Sequence, residues 1–352
     1  FLAENFAFDP KQFTLKEDST RELDNRKEYS FSWYHSKVYI PWSTKPDTGG
    51  ARLFTGGTVA GDDILSFSKF NFKIPEEYSR QFESKKGLGL NLLTVIRILY
   101  TLVFVGAVFF LIIRRNHLAA HTTKNFYIGL AAALFLATVL AELNYLQAII
   151  MSYDTTQTVR SFFGRHFIDA VWGIFFGTIG ILMPSLSGEA LHYEVFGNKK
   201  EGSFLHYRRT TFFSREVCKS VIIGYWAFMI LLAGQTLIFD LGQKHWGVWL
   251  ERTWVIQFSS AYFPFFAAFV LGIKASFFEE ITFRLFAISW FKRIFKNLFI
   301  AVLFSALIWG FGHSGYLVFP MWFRGMEVTL MGLFLSYVYL QFGIIPVIVA
   351  HY

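Results

Sequence analysis

Cysteine is nearly missing from this chain: Cys218 is the single one in 352 residues. That excludes an internal disulfide and any cysteine-built zinc site. Cys218 falls within an apolar run, where a small buried hydrophobe is expected rather than a nucleophile. Charge is also scarce, at 16% of residues. Residues 1–20 are polar and carry no apolar core of the kind a secretory leader needs. Apolar residues, by contrast, make up 54% of the chain, and its 44 phenylalanines exceed what a soluble core of this size uses. Several apolar runs reach the ~20 residues that cross a hydrocarbon slab as helix. The chain reads as a polytopic membrane protein.

The formal charge of +8 comes from 33 basic against 25 acidic residues. The basic residues sit mainly in short loops beside apolar runs, which is how topology-setting charge is distributed. Lipid is therefore the implied partner, and nucleic acid is not. No internal repeat is evident. The chain opens on Phe1 and ends one residue after His351, so a piece of a longer reading frame is expected.

The expected fold is an all-α polytopic membrane helix bundle of about 8–9 spans with a small N-terminal α+β extramembrane domain. Three regions are expected: 1–88 outside the bilayer (part of a domain or all of it), 89–253 as N-terminal transmembrane helices, and 254–352 as a catalytic transmembrane core. In the first region, Tyr29–Ile40 and Ala51–Phe72 are rich in β-branched and aromatic residues, with turn signals at Pro46–Gly50 and Gly61–Asp63. Pro75-Glu76-Glu77 opens a short polar helix. Spans are expected at Leu93–Ile113, Asn125–Met151, His166–Met183, Val217–Phe239 and Trp254–Ala275. A separate glutamate-bearing helix follows at Phe277–Ile294, then Leu298–Gly312, Met326–Phe342 and a start at Ile344–Tyr352. The basic stretches Arg114–Lys124 and Lys199–Lys219 fall on one side, which positive-inside reasoning makes cytoplasmic. The N-terminal domain is then extracytoplasmic. Lys292, Arg293 and Lys296 land on the wrong side if the glutamate helix crosses fully.

The chemistry concentrates in Phe277-Phe-Glu-Glu-Ile-Thr-Phe-Arg-Leu-Phe286. Ionised groups at bilayer depth cost several kcal/mol and by default mark function. Glu280 and Arg284 share a helix face and can form a bidentate charge-assisted pair. Glu279 points about 100° away and is left freer, which makes it the general-base candidate. His313 and His351 end later apolar runs, and Trp309 stands four residues before His313. Two chemistries stay open for an acid and two imidazoles. In one, Glu279 activates a water and the histidines stabilise the oxyanion. In the other, Glu279, His313 and His351 hold a divalent metal such as zinc, which activates the water. His117, His121, His192 and His206 are expected in solvated loops. Glu142, Asp169 and Glu189 are intramembrane or juxtamembrane acids expected to serve helix–helix hydrogen bonding.

Glu279-Glu280-x-x-x-Arg284, then Trp309-x-x-x-His313, then His351 resembles the CAAX prenyl protease and bacteriocin-processing family of intramembrane proteases over about Trp254–Tyr352. The resemblance implies a helical endopeptidase whose cavity holds a glutamate-activated water. It implies catalytic roles for Glu279, His313 and His351, with Glu280, Arg284 and Trp309 supporting. It fixes no cofactor. The family's second motif usually has phenylalanine where Trp309 stands. Its third motif continues His-x-x-x-Asn or Asp, and that place is 355, beyond Tyr352. Ser187-Gly-Glu-Ala-Leu-His192 also looks like long bacterial members.

The implied substrate is a protein or peptide at the membrane, and the implied location is the bacterial inner membrane. Two competing readings come from other classes. A non-catalytic immunity or scaffold protein acts through residues 1–88 and tolerates loss of Glu279 and His313. A proton-coupled transporter needs flux driven by a pH gradient.

Overall fold

The computed structural model describes residues 9–23, 26–41, 50–114, 124–154, 156–197, 214–250, 261–316 and 318–352. The stretches 115–123, 198–213 and 251–260 lie outside these, and with them His117, His121, His206 and much of the basic loops. The chain divides into two units, one of Phe1–Lys85 with Tyr153–Gly164, the other of Lys86–Ser152 with Arg165–Tyr352.

The first unit holds a four-stranded antiparallel meander: β1 (Phe13–Glu22), β2 (Lys27–Pro41), β3 (Gly50–Ala60) and β4 (Asp63–Lys73). The two aromatic, β-branched runs become β2 and the β3–β4 hairpin. Gly61 takes the left-handed φ of 63° at the hairpin turn, which glycine adopts without a Cβ clash. Ser30 and Thr58 face each other across β2 and β3 and share a hydrogen bond of 3.0 Å. Strand β1 went unforeseen, because Phe-Thr-Leu-Lys-Glu-Asp-Ser-Thr-Arg-Glu has too few apolar residues to show a period of two.

The helix that opens at Glu76 does not stop as a short polar one; α1 runs without interruption over Glu76–Ile113. The second unit adds α2 (Lys124–Met151), α3 (Val159–Phe196, shared with the first unit's sequence range) and α4 (Arg215–Trp246). Then come the two-residue strand β5 (Trp249–Leu250), α5 (Pro264–Glu280), a π-helical segment over Ile281–Ala287, and α6 (Ile288–Phe295). The chain closes with α7 (Leu298–Gly312), β6 (Val318–Phe319, paired with β5), α8 (Met321–Phe342) and α9 (Ile344–His351). Among the described residues, five helices are long and apolar enough to cross a membrane: Leu90–Ile113, Ile128–Met151, Val159–Phe196, Arg215–Trp246 and Leu298–Gly315.

One expectation is corrected here. The span expected at Trp254–Ala275 and the separate glutamate helix at Phe277–Ile294 are one helical rod, Pro264–Phe295, with a π segment in its middle. Asn144 of α2 pins its start, its amide donating to the Phe263 carbonyl at 3.0 Å and accepting from the Phe263 N–H at 2.8 Å. At the other end, Arg293 bonds Glu194 of α3, and Arg114 after α1 lies 3.7 Å from the same carboxylate. Counting the rod once puts Lys292, Arg293 and Lys296 at the same end as Arg114, and the charge anomaly disappears.

The rod's middle is the core of this unit. Ile281, Phe283, Leu285, Phe286 and Ala287 are wholly buried and cluster with Trp309, Tyr339 and Val347. Outward residues such as Phe109 and Trp226 are exposed, as apolar side chains are on a surface meant for lipid. Cys218 is exposed as well, contrary to its expected burial; an apolar run in lipid has no reason to hide each member. Helices α7 and α8 approach closely at Gly310, where a Cβ would come within 2.2 Å of Thr329 Oγ1 and 2.8 Å of the Gly325 carbonyl. Only glycine fits so close a backbone.

Candidate active site

Glu279 and Glu280 end α5, and Arg284 lies in the π segment that follows. A π segment widens the turn and leaves the ordinary helical bonding pattern, and such segments recur at functional positions. Here the Phe283 carbonyl accepts from Ile288 N–H, five residues on, and from Ser305 Oγ of α7 at 2.7 Å. Ser305 thereby ties α7 to the glutamate helix at the depth of the site.

Glu280 is fully buried, as is Arg284 at 1% exposure. Burying two ions is costly unless each is paired. Their contact runs through Nε alone, 3.1 Å from Oε2, and not through the expected bidentate fork. The guanidinium carbon instead lies 4.0 Å from the centre of the Trp309 ring, a cation–π placement strengthened by desolvation. Arg284 Nη1 and Nη2 have no hydrogen-bond partner among the described residues, so the ring face is what receives that side of the charge.

The other Glu280 oxygen accepts from His351 Nδ1 at 2.6 Å. A carboxylate can only accept, so Nδ1 carries the proton and Nε2 is turned inward. It lies 3.9 Å from Glu279 Oε2. His313 is set the same way by a different partner: its Nδ1 donates to the Trp309 carbonyl at 2.8 Å, leaving Nε2 3.5 Å from Glu279 Oε2. Trp309 contributes twice, since its indole Nε1–H also donates to Glu279 Oε2. One carboxylate oxygen thus faces two imidazole Nε2 atoms and an N–H donor. Glu279, His313 and His351 each remain slightly open, at 17–19% side-chain exposure. All six residues singled out in the sequence meet in this one place. The six come from three elements: the rod, the α7 end with the turn that follows it, and α9.

Among the described residues, no group of three His, Cys, Asp or Glu side chains is disposed to hold a metal ion.

Sequence reasoning missed residues that surround the trio. Tyr100 of α1 packs edge-on against Phe283 at 4.7 Å and stacks on Phe278 at 6.1 Å. It is one aromatic in an apolar run, and nothing local marks it. Tyr316 lies parallel to the His313 ring, 5.8 Å away at an interplanar angle of 16°. Behind it, Arg324 and the fully buried Glu327 form an ion pair at 2.5 Å, and Gln235 of α4 donates to the same carboxylate at 3.1 Å. Their i, i+3 spacing on α8 was a legible signal. His192 is corrected outright: it lies on α3, is 5% exposed, and shares a 2.8 Å hydrogen bond with Tyr339 of α8. The span expected to end at Met183 continues to Phe196, and so carries His192 and the still more deeply buried Glu189 into the bundle.

Residues 261–352 match the family described as type II CAAX prenyl endopeptidase Rce1-like. Over 181 residues, 49% of the chain, the sequence is 28% identical to the sporulation-killing factor biosynthesis protein SkfC of Bacillus subtilis (strain 168). The aligned part spans 35% of that relative's length. No solved structure matches.

Proposed function

We propose, from the premise that residues 261–352 are an Rce1-like type II CAAX prenyl endopeptidase domain, that this chain is a membrane-embedded endopeptidase using a glutamate-activated water. The observation that carries the reading is the convergence of His313 Nε2, His351 Nε2 and the Trp309 N–H on Glu279 Oε2.

In this reading a water rests against Glu279 and is oriented by His313 Nε2, which accepts its second hydrogen. Glu279 takes a proton as the water oxygen bonds to the scissile carbonyl carbon, and the carbonyl π pair moves onto oxygen. His351, protonated at Nε2 and held at Nδ1 by Glu280, donates to that oxyanion. Glu279 then returns its proton to the amide nitrogen as the C–N bond breaks. The products are a carboxylic acid and an amine, and the site is restored. Arg284 neutralises Glu280, so that the carboxylate orienting His351 can stay ionised in an apolar surround.

The substrate class is a peptide at the membrane. The relative is named for a biosynthetic role, which makes a precursor peptide the first class to test. The location proposed is a bacterial inner membrane with residues 1–88 extracytoplasmic, supported by the basic residues gathered at the Arg114 and Arg293 end.

The deciding experiment uses the full chain in phospholipid vesicles with quenched fluorescent peptides, both with and without a prenylated cysteine. Glu279→Gln should abolish cleavage while leaving insertion and thermal unfolding intact. Equal turnover in that variant removes Glu279 as the base.

A further inference from the structure

The rod Pro264–Phe295 carries Glu279 and Glu280 before its π segment and Trp290 after it. Its far end is held by Arg293 on Glu194 and by the Trp290 ring. That ring fills a notch at Gly106 of α1, where a Cβ would come within 2.6 Å of it. A π turn bonds five residues apart rather than four, so it holds one residue more than an α turn. One residue is worth about 100° around a helix axis and about 1.5 Å along it. With the far end held, the register over Ile281–Ala287 decides which way Glu279 points. Rewound as continuous α-helix, the rod would carry Glu279 about 100° away from His313 and Trp309.

A π turn departs from the ordinary bonding ladder, and at membrane depth its backbone groups must be satisfied from within the protein. The Phe283 carbonyl accepts the π bond from Ile288 N–H and, at 2.7 Å, a second bond from Ser305 Oγ. Ser305 is 1% exposed, so solvent does not reach the pair. It stands on α7 four residues before Trp309 and eight before His313, a spacing that keeps all three on one face. Trp309 and His313 reach Glu279 itself, and Ser305 reaches the turn that aims it. Ser289 also bonds the segment, but it returns to the Leu285 carbonyl within the same rod at 2.9 Å. Ser289 thus ties no second helix to the turn.

We propose that Ser305 is a positioning residue of the reaction: by donating to the Phe283 carbonyl it holds the rod in π register and keeps Glu279 turned toward His313 and Trp309. The proposal rests on the hydrolase reading above. Ser305 touches no reacting atom and carries no proton. It acts through the rotation of the rod, and it draws that rotation from the same helix that presents Trp309 and His313. One face of α7 therefore sets both the base and the groups the base meets.

The test compares Ser305→Ala and Ser305→Thr in the full chain, reconstituted in vesicles and assayed on the quenched peptide panel at a temperature where each variant is folded. Alanine removes the donor; threonine keeps it. Ser305→Ala should lower kcat by about tenfold with KM unchanged, the order expected for one buried neutral hydrogen bond. Ser305→Thr should recover most of that loss. A serine that merely adds stability lowers the melting temperature and leaves kcat of the folded enzyme where it was. Equal kcat in Ser305→Ala, or a threonine variant no better than alanine, overturns the assignment while the hydrolase reading stands. Wild type and Glu279→Gln cleaving the panel equally, or neither cleaving it at all, removes the hydrolase reading and the role of Ser305 with it.

Discussion

Trp309 donates its indole N–H to Glu279 Oε2, the same oxygen that faces His313 and His351. The resembled family usually places phenylalanine here, which packs but cannot donate. In this chain the tryptophan holds the proposed base by hydrogen bond and lies under the Arg284 guanidinium at 4.0 Å. Trp309→Phe should therefore keep the fold and lose turnover by roughly 10- to 100-fold, the order expected when one hydrogen bond to an ionised carboxylate, worth ~1.5–3 kcal/mol, is removed. Peptide hydrolysis alongside thermal unfolding separates the two effects, and an unchanged kcat refutes the positioning role.

Glu280 serves both Arg284 and His351. Glu280→Met leaves Arg284 buried without its counter-ion and should cost about 3–5 kcal/mol of stability. Pairing it with Arg284→Met removes both charges and should restore most of the lost stability. Turnover should not return, because His351 Nδ1 has lost its acceptor. Recovery of full activity in the double variant contradicts the orienting role of Glu280.

Gly310 is where α7 and α8 meet backbone to backbone. A Cβ there would press within 2.6 Å of the Thr329 nitrogen, which cannot swing aside as a side-chain tip can. Gly310→Ala should destabilise by about 2–3 kcal/mol through overpacking, read by thermal unfolding in detergent. A melting temperature equal to wild type shows that the helices slide apart freely.

Metal removal distinguishes the two chemistries that the sequence leaves open. Under the glutamate reading, exhaustive chelation leaves peptide cleavage intact. Loss of activity on chelation, with recovery on adding zinc, moves the assignment to a metal-activated water.

The trio and its supports were legible for one reason. A carboxylate, guanidinium or imidazole in an apolar run is expensive, so each stands out against its surroundings. Tyr100 and Tyr316 carry no such cost and are indistinguishable from packing until their neighbours are known. His192 was read as a loop residue because Pro184 and the polar Ser185-Leu-Ser-Gly-Glu look like the end of a helix. In the fold, α3 continues through Pro184 to Phe196, with Ser185 and Ser187 hydroxyls bonded back to the helix carbonyls of Ile181 and Met183 at 2.7 and 2.8 Å. The rod Pro264–Phe295 was divided in two because its central charges resemble a loop, though every residue of Ile281–Ala287 is buried.

The amino-acid sequence alone determined that this chain folds mostly into long apolar helices suited to lipid, and it marked the ionisable residues that come together in one place. Transfer from water is a property of each segment's own composition, so no partner is needed to read it. Which nitrogen of each histidine turns inward, what tryptophan does beyond packing, and where Tyr100 comes to rest were decided by the tertiary structure. A helix apolar on every side has no preferred face written along it. In a membrane its neighbours are chosen by close packing and interhelical hydrogen bonds, which exist only once the chain is assembled.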